Sequence, residues 1–501
     1  MSEGAKPRRV RRRAGGEGET PGPAAPPKTA VVVIHGMGEQ WPMDTLRGFV
    51  EAAWSTDKDL NPDWSHGETY SKPERVTGSF ELRRITTRYW TKQGAAQTRR
   101  VDFFEFYWAH LLQANSLGAV LGWLVRLLVR SPARVPRRLM PGWILGLLLL
   151  FAGVALTAGT ALRPDLGRYD IPRWAWPVLA LAGGAFSALW LRPVAGDAAR
   201  YLSPTPGNVA ARQAIREAGI DLVTRLQATG EYDRIIVAGH SLGSVIGHDV
   251  LNYAWGRLDP EALTAAHRQG TETLKRLQAL EKAAGGLAGS GDAPPALDAL
   301  ATFRDAQRAY FQSLSTARNS DGSPLWLVSD FVTLGSPLSS ADVLLAPDFK
   351  ALIRKIAWRE IPTSPPQSER ADPVRFSYPP AAQVRRPHHA AVFAPTVWTN
   401  IYYPHVLGVF GDFVSGPVSP LLGAAVRDIK VPIGFPAFRH LSYWSKPERG
   451  KPVIGALRRA LNLRLREEAA IWGDQAGANP VLAARLAGGD VAPVGNEGVT
   501  Q

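Results

Sequence analysis

Arg234-Ile-Ile-Val-Ala-Gly239-His-Ser241-Leu-Gly243-Ser-Val-Ile246 runs from a short apolar strand through a Gly-x-Ser-x-Gly turn into a helix. Ile235, Ile236, Val237 and Ala238 are apolar without alternation, the pattern of a strand covered on both faces in a parallel sheet. Beyond the turn, Val245, Ile246, Val250 and Leu251 recur at helical spacing. A serine on such a strand-to-helix turn stands clear of its neighbours, where a base can reach its hydroxyl. Gly239 and Gly243 supply the clearance, because neither presses a Cβ against the turn. A structural turn serine is the plainer reading; the strand, turn and helix together make Ser241 the candidate nucleophile.

A second buried-strand run, Ala30-Val-Val-Val-Ile34, ends in His35-Gly36-Met37-Gly38-Glu39-Gln40. Acyl transfer needs two backbone N–H donors for the oxyanion, one from the residue after the nucleophile and one from a loop after an early strand. Leu242 and Met37 are the candidates, against an ordinary glycine-rich turn as the alternative. The base and acid follow in the order Ser, acid, His. Six histidines lie beyond Ser241, and the last, His440, follows the apolar run 431–435. Asp412, in Gly411-Asp-Phe-Val-Ser-Gly416, has only His440 C-terminal to it and is the favoured acid. Asp330 and Asp342, which flank the segment Phe331 to Leu338, are its rivals, since some hydrolases carry the acid one strand earlier.

With these residues in place, the chain resembles the α/β-hydrolase superfamily, in its lipase and esterase branch and among bacterial membrane-associated members. The resemblance is carried by Val33-Ile-His35-Gly36-Met-Gly38-Glu-Gln, Ala238-Gly-His-Ser241-Leu-Gly, Thr333-Leu-Gly335-Ser-Pro337-Leu and Trp398-Thr-Asn400, followed by the late His440. It implies a Ser-His-Asp acyl-enzyme mechanism on an ester or lipid-like substrate, without a cofactor. A non-catalytic membrane scaffold that keeps the fold is the competing expectation.

The 501 residues exceed a minimal hydrolase domain. The segment 139–162 is uncharged between Arg138 and Arg163, long enough for a hydrocarbon core of about 30 Å. A second uncharged stretch, 174–191, carries Trp174, Trp176 and Trp190 like interfacial anchors. Two transmembrane helices are therefore expected, with a buried core hairpin as the alternative. Arg126, Arg130, Arg134, Arg137 and Arg138 before the pair, and Arg192 and Arg200 after it, place both flanks, and the hydrolase with them, on the cytoplasmic side of a bacterial inner membrane. Residues 110–129, rich in leucine, suit either an in-plane interfacial helix or a core helix.

The expected organisation is a disordered basic tail (1–28), a first hydrolase segment (29–108), the membrane insertion (109–200), the nucleophile segment (201–256), a helical hairpin insertion (257–322), a C-terminal hydrolase segment (323–480) and a tail (481–501). Pro260 to Ala284 and Leu297 to Leu314 carry the stripes of that hairpin, either a lid or core packing. The fold class expected is α/β: a mostly parallel sheet with helices on both faces, the site lying at the strands' C-terminal ends. The net charge of +14, from 58 Lys and Arg against 44 Asp and Glu, fits a membrane surface. No basic-aromatic platform supports nucleic acid. The absence of cysteine excludes disulfides, thiolate metal sites and a cysteine nucleophile. His388-His389 has no carboxylates at metal-ligand spacing, so no metal is expected.

Overall fold

The computed structural model describes residues 28–37, 41–60, 69–79, 81–88, 90–91, 98–112, 129–132, 135, 192–203, 205–288, 297–369, 372, 374–379, 384–405, 411–433, 439–444 and 452–465, with 140, 143, 144, 147, 148 and 151 singly between them. Its strands are β1 (Lys28–Ile34), β2 (Thr69–Pro73), β3 (Arg83–Thr87), β4 (Trp90–Thr91), β5 (Thr98–Phe106), β6 (Arg234–His240), β7 (Val328–Leu334), β8 (Ser377–Tyr378), β9 (Arg386–Pro387), β10 (Val397–Tyr402) and β11 (Arg427–Lys430). Eight of them form one mixed sheet in the order β11-β10-β7-β6-β1-β5-β3-β2, with β4 paired to β5 at the side. The run from β5 to β11 is parallel throughout, and β3, β2 and β4 add antiparallel pairs at one end.

The principal helices are α1 (Asp44–Val50), α2 (Arg192–Leu202), α3 (Val209–Ala228), α4 (Leu242–Gly256), α5 (Pro260–Ala266), α6 (Glu272–Ala288), α7 (Leu297–Thr316), α8 (Phe349–Ala357) and α9 (Pro452–Leu461). Successive strand residues point to opposite faces, so each central strand feeds two cores. Val32, Ile34, Ile235, Val237 and Phe331 pack with α3, α4, α6 and α7. Val31, Val33, Ile236, Ala238 and Val332 pack on the other side with α1 and α9. The apolar runs noticed in the sequence are unalternating because both faces are covered.

The hairpin stripe is core packing: Leu274, Leu277, Leu280, Phe303, Tyr310 and Leu314 are buried in the same cluster as Val237 and Phe331. The apolar run 431–435 is described only over 431–433 and is not strand there; the late strand is Arg427–Lys430, an edge strand with Ile429 buried. Its Asp428 is occupied at one end, where it accepts from Asn400 Nδ2 at 2.7 Å and from the Val418 and Ser419 N–H groups, each at 2.9 Å.

Among the described residues no helix is long and apolar enough to cross a membrane. The expected span 174–191 lies outside the described residues, as do the tails 1–27 and 466–501, residues 113–128, and all but six positions of the span 139–162.

The chain leaves β1 for β5 on one side and later enters β6 on the other. The sheet's switch point, where ligand crevices form in open α/β sheets, therefore lies beyond the C-terminal ends of β1 and β6. His35 to Met37 and Ser241 follow those two ends.

Candidate active site

Ser241 sits between β6 and α4 with φ 50° and ψ −127°, a backbone conformation that is costly for a residue with a Cβ. Its neighbours make room. A Cβ on Gly239 would lie 2.6 Å from Gly243 O, and one on Gly243 would overlap the carbonyl oxygens of Ile34 and His35. The turn is braced by the Ser241 N–H, which donates to Leu334 O at 3.0 Å, and by the Ser244 hydroxyl, which meets Ser241 O at 2.5 Å and Ser336 Oγ at 2.7 Å.

His440 Nε2 lies 2.8 Å from Ser241 Oγ, and its Nδ1 lies 3.0 Å from both carboxylate oxygens of Asp412. All three side chains are buried. The structure thus brings together Ser241, His440 and Asp412 over nearly two hundred residues of chain, in a continuous line of hydrogen bonds. The Asp412 loop and the His440 loop are clasped at their bases, where the Arg439 N–H donates to Gly411 O at 2.8 Å.

Burial by itself would push the Asp412 carboxyl up. Hydrogen bonding and charge from His440, with the hydroxyls of Tyr443 and Ser415, outweigh it and hold the group below the usual carboxylate range. Tyr443 OH donates to Oδ2 at 2.8 Å, and the N–H groups of Val414 and Ser415 donate to Oδ1 at 3.0 and 3.3 Å. Asp412 is thereby an ionised, fully hydrogen-bonded orienter for His440.

Gly36 lies against the nucleophile: a Cβ there would come 3.1 Å from Ser241 Cβ and 3.0 Å from His240 Nδ1. The loop carrying Met37 therefore borders Ser241, and Leu242, as the first residue of α4, has an N–H without an intrahelical acceptor. The loop is fixed by His35, which stacks on Trp108 at 4.8 Å, accepts from Trp108 N at 3.3 Å through Nε2 and donates to Gly36 O at 2.8 Å through Nδ1. Burial depresses the His35 pKa to about 4, so this ring is neutral.

The rival acids are placed elsewhere. Asp330, near the start of β7, forms a two-pronged ion pair with Arg308 at 2.6 and 3.1 Å. Asp342 is buried beside Arg130. Three of the remaining late histidines are structural: His248 Nε2 contacts Pro362 O at 3.2 Å, His267 Nε2 contacts Tyr310 OH at 2.8 Å, and His388 Nε2 contacts Gln367 O at 2.8 Å. Among the described residues no cluster of His, Asp or Glu could hold a metal ion.

Two participants had no signal in the sequence reading. Tyr443 contacts Asp412 and also Tyr403 N at 3.2 Å, while His240 donates through Nε2 to the His440 carbonyl at 2.8 Å. Burial, with His440 nearby, lowers the His240 pKa to about 3, so it is a neutral donor that fixes the His440 backbone.

The arrangement can activate a hydroxyl: a serine on a strained turn, an imidazole in hydrogen-bond contact, a carboxylate behind it and the Gly36 backbone alongside. No protein-family model matches this chain, and neither curated proteins nor solved structures yield a match. The chain has an α/β fold with a mostly parallel sheet and flanking helices.

Proposed function

We propose that this chain is a serine hydrolase of the α/β-hydrolase type that cleaves a carboxylic ester at a membrane. The observation that carries the reading is the Ser241–His440–Asp412 line of hydrogen bonds, at 2.8 and 3.0 Å, built on a serine with positive φ. Ser241 Oγ attacks the ester carbonyl carbon as His440 Nε2 takes the hydroxyl proton. The resulting imidazolium is stabilised by Asp412, and the Met37 and Leu242 N–H groups hold the oxyanion. Collapse of the intermediate breaks the C–O bond, and His440 returns its proton to the departing alcohol. A water molecule, deprotonated by His440, then attacks the acyl-serine and restores the free hydroxyl.

A binding scaffold of the same fold has no need for a strained serine in contact with an oriented imidazole, and strain of this kind costs on the order of 1–3 kcal/mol. That cost supports the catalytic reading over the scaffold.

The membrane part of the proposal rests on the two uncharged stretches and their arginine flanks. It is supported by Ile144, Leu148 and Phe151, which are helical and 48%, 61% and 66% exposed, four and three residues apart. A lipid-like ester is the substrate such a location would supply. The test is hydrolysis of a p-nitrophenyl ester series by the full chain in neutral detergent. Activity should fall by about 10⁶ in Ser241→Ala; equal activity in the variant and the parent would overturn the assignment.

A further inference from the structure

A cavity of about 990 Å³ lies along one face of α4, lined from that helix by Val245, His248, Asp249, Asn252, Tyr253 and Gly256. Its volume is at the upper end of the roughly 300–1,000 Å³ typical of small-molecule sites. Ser241 does not line it; the lining of α4 begins at Val245, four residues on and roughly 6 Å along the helix axis, and reaches Asn252, eleven residues on and roughly 16 Å along it, at 1.5 Å per residue. The remaining wall comes from α2, α3, residues 343–347, the end of α8 and the segment 129–131.

The lining carries an excess of positive charge. Five cations, Arg130, Arg212, Arg216, Lys355 and Arg359, face two carboxylates, Asp249 and Glu360. Three of the five are engaged: Arg216 with Asp249 at 2.6 Å, Lys355 with Glu360 at 3.8 Å, and Arg359 with Glu369 at 2.6 Å. Arg130 has the buried Asp342 charge near it and donates through Nη2 to Val343 O at 3.2 Å, and Arg212 lies over the Tyr201 ring at 5.9 Å, but neither is at ion-pair distance from a described carboxylate. Arg130 Nη1 and Arg212 Nε are buried with no hydrogen-bond partner among the described residues, a cost that a bound anion would remove. Burial, and then the neighbouring Arg216, hold the Arg212 guanidinium below its usual pKa against the opposing charge of Asp249, which Arg216 already engages.

The rim has the opposite character. Val129, Tyr253 and Trp358 line the cavity yet are 67%, 45% and 64% exposed, and Phe349 and Ile353 of the adjoining α8 are 53% and 45% exposed. A basic interior behind an apolar, aromatic rim is complementary to a molecule with one acidic group and one greasy tail.

We propose that this cavity binds an acidic amphiphile, its phosphate or carboxylate held by Arg130 and Arg212 and its acyl chain lying across Val129, Tyr253 and Trp358. The site is separate from the Ser241 centre and does not depend on the activity proposed for it. The acidic group belongs either to a bilayer phospholipid or to a free fatty acid.

Equilibrium binding of radiolabelled 1-oleoyl-lysophosphatidate and oleate to the full chain in neutral detergent tests the assignment, with uncharged 1-oleoylglycerol as the control ligand. At least one acidic ligand should saturate a single site, with 1-oleoylglycerol binding about tenfold weaker or more. Arg130→Gln combined with Arg212→Gln should lose that tenfold preference, whereas Ser241→Ala and the exposed Arg268→Gln should retain it. Preference for the phosphate ligand assigns the site to phospholipid headgroups, and equal or better binding of oleate assigns it to fatty acid. Equal binding of the neutral ligand would overturn the proposal. So would unchanged binding in a double variant that melts at the parent temperature, or loss of binding in Ser241→Ala.

Discussion

Ser241 is held in its strained turn by groups that must be small or hydrogen-bonded, and His440 is held by a carboxylate and by its own carbonyl. Replacing Asp412 with Asn would keep the shape of the line but favour the wrong imidazole tautomer. Ester hydrolysis at neutral pH is expected to fall by about 10⁴, with protein stability largely kept, as read by kcat and thermal melting. Tyr443→Phe removes one of the donors that keep the Asp412 carboxyl low. The carboxyl should rise, so the acid-side loss of stability should begin at a higher pH in the variant than in the parent, as read by thermal melting against pH. A carboxyl depressed on folding stabilises above its unfolded pKa, and that contribution is lost as pH falls through the folded value. Melting of the parent below pH 4 should therefore be steeper in pH than that of Asp412→Asn. The candidate serine, acid and base were legible because chain order and flanking strands restrict the choice. Tyr443 and His240 were not, since their roles are long-range contacts to Asp412 and to the His440 carbonyl, with no local pattern to mark them.

At the scale of elements, the turn between β1 and α1 carries a pH-sensitive link. Glu105, at the end of β5, accepts from the Met43 N–H at 2.6 Å, and Met43 itself caps α1 in the left-handed region at φ 74°. Burial raises the Glu105 pKa from 4.5 to about 7, with the nearby Asp44 charge adding to it against the opposing bond from Met43. A carboxyl raised on folding binds more protons in the native state than in the unfolded one, so stability falls as pH rises from about 4.5 to about 7. Glu105→Gln should remove that slope and gain up to about 3 kcal/mol at pH 8 in denaturant melts. Gly243→Ala should destabilise by several kcal/mol or prevent folding, because its Cβ would meet the backbone oxygens of Ile34 and His35 where neither strand nor turn can retreat. The buried parallel strands were readable from unbroken apolar runs. By contrast, β2, in which no residue is buried, and the charged edge strand β11 form because neighbouring strands offer hydrogen bonds, a tertiary cause that propensity does not record.

For the whole molecule, one sheet unites residue segments on either side of the stretch proposed to enter the membrane: β1 pairs with β5 before it and with β6 after it. Both ends of that stretch therefore return to the same side, as a pair of spans requires. A chain lacking residues 139–191 should move from the carbonate-resistant membrane fraction towards the soluble fraction while keeping its esterase activity. Retention in the membrane would point instead to the exposed Phe349, Ile353 and Trp358 surface as the anchor. Activation of Ser241 is measured by treating the full chain in detergent with a fluorophosphonate and mapping the adduct by peptide mass spectrometry. One stoichiometric adduct on Ser241 is expected, absent from Ser241→Ala and strongly slowed in His440→Ala. A folded parent that takes no label, or an adduct on another serine, would contradict it.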